Sequence, residues 1–174
     1  EIPLRLVGSE MCIRDRTNTV NIRFNNSSGE IGNTGGILKL NGYSTVIGAI
    51  NSLRAGAGLI ENGGASDGVL TVDTSMLGDG HFSGLLRDGG AGKFALVKTG
   101  AGLLRLSGIS SYTGSTTVTG GTLQAFSSTA FSTASDFVLT SGMLDVNGYS
   151  QTIASLNNSG MVAINLRGAW IGST

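Results

Sequence analysis

Past position 16 the acidic residues are Glu30, Glu61, Asp67, Asp73, Asp79, Asp88, Asp136 and Asp145. Clustered carboxylates are what a polysaccharide-cleaving site would need first. Glycoside hydrolysis requires an acid and a base flanking one bond, and calcium-dependent elimination requires several carboxylates around one ion. Here they stand singly, with no D-x-D or D-D pair. Asp67, Asp73 and Asp79 recur at six-residue spacing, yet they lack the G-G-x-G-x-D pattern of calcium-binding rolls. Solvated turn residues are the expectation. His81 is the only histidine, between Gly80 and Phe82. One imidazole makes no metal cluster, and no serine nucleophile signature accompanies it, so a surface loop is its expected place.

The run RDGGAGKF at 87–94 has the outline of a phosphate-binding loop. That loop needs glycine where Arg87 stands and Ser or Thr where Phe94 stands, to hold magnesium; a glycine-rich corner is expected instead. Asn25, Asn26 and Asn157 begin N-x-[S/T] sequons, read as turn residues. The Ser/Thr-rich run 127–135 (SSTAFSTAS) reads as a loop between strands, with room for a carbohydrate contact but no need of one. Trp170 is an exposed-aromatic candidate, expected to serve as a packing residue of the last coil. No catalytic, cofactor-binding or metal-ligating residue is assigned. The chain reads as non-enzymatic, with no cofactor.

The elements around these residues point one way. The chain has 174 residues, enough for one domain but short for two. Its 29 glycines show no triplet period and accompany a single proline, which excludes collagen, and 40% hydrophobic content argues against disorder. Formal net charge is zero, so no electrostatic footprint for nucleic acid is present. No apolar run of about 18 residues exists to form a transmembrane helix. Short apolar alternations broken by frequent glycine corners indicate extended, all-β structure.

Residues 1–16, EIPLRLVGSEMCIRDR, do not match the rest. They hold 6 of the chain's 22 acidic and basic residues, the only proline (Pro3) and the only cysteine (Cys12). Arg5 and Glu10 interrupt any apolar core, so this is not a secretory signal. The string LVGSEMCIRDR resembles translated sequencing-adapter read-through, and 1–16 is set aside as an artefactual leader. Residues 17–174 then contain no cysteine, hence no disulfide framework and no cysteine metal site.

The segment GILKLNGYSTVIGAIN at 36–51 returns as GMLDVNGYSQTIASLN at 142–157 without a gap, 8 of 16 positions identical. An internal repeat of this kind marks a solenoid, in which each unit buries its apolar face against its neighbours. Leu38 and Leu40, like Leu144 and Val146, should point inward. Lys39 and Asp145, opposite charges at one equivalent position, should face solvent. Asn41 with Gly42, and Asn147 with Gly148, suit a corner of positive φ. Tyr43 and Tyr149 should cover it, and Ile47 and Ile153 return to the core. Strands are expected from Thr17 to Phe24, at 37–40, 59–60, 69–72, 82–86 and 94–97, with glycine corners between them. Two antiparallel hairpins also fit this middle stretch, but the repeat favours parallel stacking. At about 20–25 residues per coil, 17–174 gives about seven turns, or ~33 Å at the ~4.8 Å strand spacing.

The run LVKTGAGLLRLSG at 96–108, then SYTGSTTV at 111–118 and GGTL at 120–123, carries a further signal. Order, spacing and residue types resemble the passenger-associated transport repeat of autotransporter passenger domains in Gram-negative bacteria. The L-x-[L/V]-N-G-x-x-x-x-I pattern resembles the segment that often precedes it. The resemblance implies a right-handed, single-stranded parallel β-helix, a fragment of a longer stack displayed at the cell surface. It also implies a stalk that assists outer-membrane passage, with the chain's own C-terminal outer-membrane barrel as partner. A signal peptide and that barrel are absent from the sequence, so translocation and anchoring are expected to depend on other parts. A surface adhesin for glycan or host matrix is the alternative, and a β-helix polysaccharide hydrolase or lyase fragment the more distant one.

Overall fold

The computed structural model describes residues 5–7, 10–12, 22–24, 36–52, 56, 58–75 and 78–174. All elements are strands, and they wind into a parallel β-solenoid of about six turns, one fewer than coil length suggested. Three sheets form its faces. The first carries Ile37–Lys39, Leu59–Asn62, Leu85–Gly89 and Ile109–Ser110, with Arg5–Val7 and Glu10–Cys12 at its edge. The second carries Thr45–Ile47, Gly68–Asp73, Phe94–Thr99, Thr116–Val118, Asp136–Leu139 and Ser155–Asn158. The third carries Ile22–Phe24, Ile50–Ser52, Gly80–Phe82, Leu103–Leu106, Thr122–Ala125, Gly142–Asp145 and Val162–Asn165. After Ser110 the first face passes through a strandless stretch and resumes as Gln151–Ile153 paired with Ile171–Ser173. Among the described strands, only the Arg5–Val7 and Glu10–Cys12 pair is antiparallel, so the hairpin alternative does not hold for 59–97.

Alternation decides what enters the core. Side chains two apart on a strand share a side, and parallel register stacks equivalent residues into columns. On the third face Leu104, Leu123 and Leu144 form one buried column and Phe82, Leu106 and Ala125 the next. On the second face Leu70, Leu96, Thr116 and Phe137 stack, followed by Ile47, Val72, Lys98, Val118 and Leu139. Fully burying one Leu or Ile contributes about 1.5–3 kcal/mol, so each turn gains from the turn before it.

The two sequence copies do not lie over one another. Residues 37–39 of the first copy lie on the first face, whereas 142–145 of the second lie on the third. The whole segment is displaced by one face, and the same Asn-Gly corner turns two different bends. Asn41 and Asn147 take φ of 53° and 49° there. Arg167 and Gly168 repeat that conformation one turn after Asn147, with φ of 48° and 86°. This third instance of the corner is not visible from residue identity.

Three surface expectations are corrected. Asp145 is 3% exposed rather than solvated, held by Gln124 Nε2 at 2.7 Å and the Asn147 N–H at 2.9 Å. Lys39 is half-buried and its Nζ lies 3.8 Å from Glu61 Oε1. Trp170, expected to pack, is 57% exposed. The 127–135 run is a loop as expected, yet its middle enters the core: Phe131 packs on Phe137 at 5.1 Å, and Ser132 and Ser135 are buried. The turn expected at 25–29 lies outside the described residues.

Candidate functional site: a buried lysine and a buried tyrosine

Strand Phe94–Thr99 places Phe94, Leu96 and Lys98 on its inner side. Lys98 therefore occupies a core column between Val72 and Val118, and it is fully buried. A buried ammonium is costly unless its protons are all bonded. Lys98 Nζ donates to the carbonyls of Thr99 at 2.8 Å, Gly100 at 2.9 Å and Gly120 at 3.1 Å. Thr99 and Gly100 belong to its own turn and Gly120 to the next. Desolvation lowers its pKa to about 8, against the upward pull of Asp73 and Asp79. Gly121 makes room for this arrangement. Its φ is +63°, and a Cβ there would strike the Gly100 and Gly102 carbonyl oxygens and come within 2.8 Å of Lys98 Nζ.

At the other end of the second face stands Tyr112, fully buried and edge-on to Phe94 at 5.2 Å. Its hydroxyl lies 2.6 Å from Thr116 Oγ1, which lies 2.8 Å from Ser135 Oγ. Ser135 Oγ donates to the Gly114 carbonyl at 2.7 Å, and Ser132 Oγ to that of Tyr112 at 2.6 Å. Burial pushes the Tyr112 phenol up to about 12, which keeps it protonated. Ser132 and Ser135 belong to the turn after Tyr112. Both ends of the face are thus tied to the next turn by satisfied buried polar groups.

A third tie joins three turns. Asn62 is fully buried, accepts the Gly42 N–H at 2.6 Å, and donates to the carbonyls of Ser66 at 2.8 Å and Lys93 at 3.0 Å.

Most of the carboxylates weighed for chemistry are taken up by backbone N–H groups. Asp67 accepts the Lys93 N–H and Asp79 the Leu103 N–H, both at 2.8 Å and both one turn on. Asp73 accepts the Ser75 N–H at 2.9 Å, and hydrogen bonding by the Ser75 side chain first, then by this N–H, holds its carboxyl below the usual range. Asp88 accepts from the N–H groups of Phe94 at 2.8 Å and Thr113 at 3.1 Å, and from the Thr113 hydroxyl at 2.9 Å. The glycine-rich 87–94 run is thus a strand end and a corner, in which the Lys93 and Phe94 N–H groups are taken by carboxylates and that of Gly92 by the Gly64 carbonyl. Glu61 is buried against Arg87 at 2.7 Å. No group of three potential metal ligands occurs among the described residues. His81 lies in a strand, not a loop: its Nε2 is 2.8 Å from Ser107 Oγ and its ring is edge-on to Phe126 at 5.9 Å. Asn157 is exposed on the second face, and Asn25 and Asn26 lie outside the described residues.

Lys98, Tyr112 and Asn62 are the residues that motif-hunting passes over. For Lys98 a signal existed, because it continues the Phe94, Leu96 alternation. Residues 96–125 match the passenger-associated-transport-repeat family. Lys98, Tyr112, Thr116, Gly120 and Gly121 all fall inside that match. No curated protein and no solved structure matches the chain.

Proposed function

We propose that this chain is a structural, non-catalytic stalk segment of an autotransporter passenger, assisting outer-membrane passage and surface display. The observation that carries the reading is that the 96–125 repeat supplies the ties between consecutive turns, at Lys98 and at Tyr112. A chain emerging at the cell surface can then fold turn by turn. Each turn buries its inward residues on the previous one and opposes backsliding. Leu156 and Ile164 continue the inner columns of the second and third faces yet stay 38% and 41% exposed, which suits a stack that accepts a further turn. The partner on this reading is the chain's own C-terminal outer-membrane barrel.

The test is export of this segment fused between a signal peptide and an outer-membrane barrel in a Gram-negative host. Surface arrival is followed by added protease. Lys98→Met and Tyr112→Phe together should slow the appearance of protease-resistant passenger outside the cell while periplasmic levels rise. Unchanged export kinetics in the double variant would remove the repeat from the translocation role.

A second reading, a surface adhesin for glycans, is favoured by one observation: the half-exposed rings of Phe126 and Tyr149 side by side on the outside of the solenoid. A hydrolase or lyase has less support, since Asp67, Asp73, Asp79, Asp88 and Asp145 are engaged by backbone N–H groups and Glu61 by Arg87.

A further inference from the structure

The outward side of the third face carries a polar column in unbroken register from Asn51 through His81, Arg105, Gln124 and Asp145 to Asn165. Its members bond along the axis. Arg105 Nε donates to Gln124 Oε1 at 2.9 Å, and Gln124 Nε2 donates to Asp145 Oδ2 at 2.7 Å. This fixes the Arg105 fork in place. Beside the column runs an aromatic row, with His81 to Phe126 at 5.9 Å and Phe126 to Tyr149 at 6.0 Å. Phe126 is 43% and Tyr149 38% exposed. Neither belongs to the core cluster.

Arg23, in register with Asn51, extends the column, so two guanidiniums stand against one carboxylate. Asp145 is its one carboxylate, already shared by Gln124, the Asn147 N–H and Arg167 Nε at 3.7 Å. Arg105 has no carboxylate within ion-pair distance among the described residues, and its positive charge, after burial, helps to hold His81 below its ordinary pKa. A partner for this strip must offer flat apolar faces to the rings, hydroxyls to the Asn51 and Asn165 amides at its ends, and anionic groups to the guanidinium. It must also repeat along the axis at close to the ~4.8 Å rise of one turn, about the length of one sugar ring.

We propose that the outer third face binds a linear acidic polysaccharide along the solenoid axis, seating sugar faces on Phe126 and Tyr149 and a uronate carboxylate on Arg105. Arg–carboxylate pairing is charge-assisted and planar, and it singles out acidic over neutral sugars. This strip lies on the opposite side of the backbone from the ties at Lys98 and Tyr112, so it stands whether or not the export role does.

The experiment is calorimetric titration of the full chain with a uronic-acid oligosaccharide and, separately, a neutral glucan oligosaccharide of the same length. Binding is expected for the uronate alone, weakening as salt rises. Phe126→Ser with Tyr149→Ser, and Arg105→Gln alone, should each weaken it by roughly tenfold or more. Ile109→Ser, an exposed change on the first face, should leave it unaltered. Circular dichroism on each variant confirms that it is folded, and Phe126→Leu serves as a second variant should Phe126→Ser fail. Equal binding of the glucan, no binding of either, or full affinity in the folded variants would overturn the proposal.

Discussion

Lys98 Nζ lies 3.1 Å from the carbonyl oxygen of Gly120, one turn further along the chain. A single side chain thereby joins two successive corners from inside the solenoid. Replacing Lys98 with Met preserves bulk but strands the Gly100 and Gly120 carbonyls, while that of Thr99 keeps the Thr74 N–H and hydroxyl as donors. The expected cost is about 1–3 kcal/mol for the unsatisfied acceptors, read as a lower urea midpoint with little change in slope.

The same lysine gives an alkaline signature. The folded pKa is about 8, and a free lysine titrates at about 10.4. Between those values the unfolded chain holds the extra proton, so stability rises with pH across that window. Tyr112 works in the opposite sense. Its folded pKa is about 12 against about 10 when free, so the folded state holds the extra proton and stability falls from pH 10 toward 12. The urea midpoint should therefore climb above pH 8, pass a maximum near pH 10 and then decline. Lys98→Met should abolish the climb, and Tyr112→Phe should reduce the decline. A flat profile from pH 8 to 10 in the unaltered chain would contradict this picture of Lys98.

Gly121 and Gly168 both have positive φ, 63° and 86°, but different surroundings. A Cβ on Gly168 meets nothing within 4 Å, so Gly168→Ala should cost only the backbone strain, about 1–2 kcal/mol. Gly121→Ala adds collisions with two carbonyl oxygens and should cost clearly more, seen as the larger drop in melting temperature of the pair.

Phe131 tests the loop at 127–135. It is 2% exposed and packs on Phe137. Phe131→Ala should destabilise by about 3–5 kcal/mol, whereas an ordinary exposed loop residue would shift stability by under about 0.5 kcal/mol. Chemical denaturation distinguishes the two directly.

Much of the architecture is legible in the sequence because the solenoid is built from local signals. Alternation places Leu104, Leu106, Leu123 and Leu144 inward, and glycine and asparagine mark the corners. The gapless repeat suggests parallel pairing, which holds, although the two copies occupy different faces and do not stack on each other. What the residues conceal is anything set by a neighbour one turn away. Asp145 has the composition of a solvated turn residue, yet Gln124, some twenty positions earlier, covers it. His81 takes its place from Ser107 and Phe126, neither adjacent in sequence. The corner at Arg167 and Gly168 escapes notice because backbone conformation is kept while side chains change. Of the candidate site, Tyr112 and Lys98 lie within a recognisable motif, but their burial depends on serines and carbonyls contributed by the following turn.

The displacement of the two Asn-Gly copies by one face separates sequence phase from rotational phase. A corner cassette works at any vertex of the triangle, so adding or removing one would advance every later strand by a third of a revolution. Aliphatic columns can re-form after such a shift, since one branched side chain stacks on another much as before. The outer strips cannot: Arg105 and Phe126 would come to face a different side from Asp145 and Tyr149. In this chain a small change in length re-aims the surface while leaving the interior largely as it was.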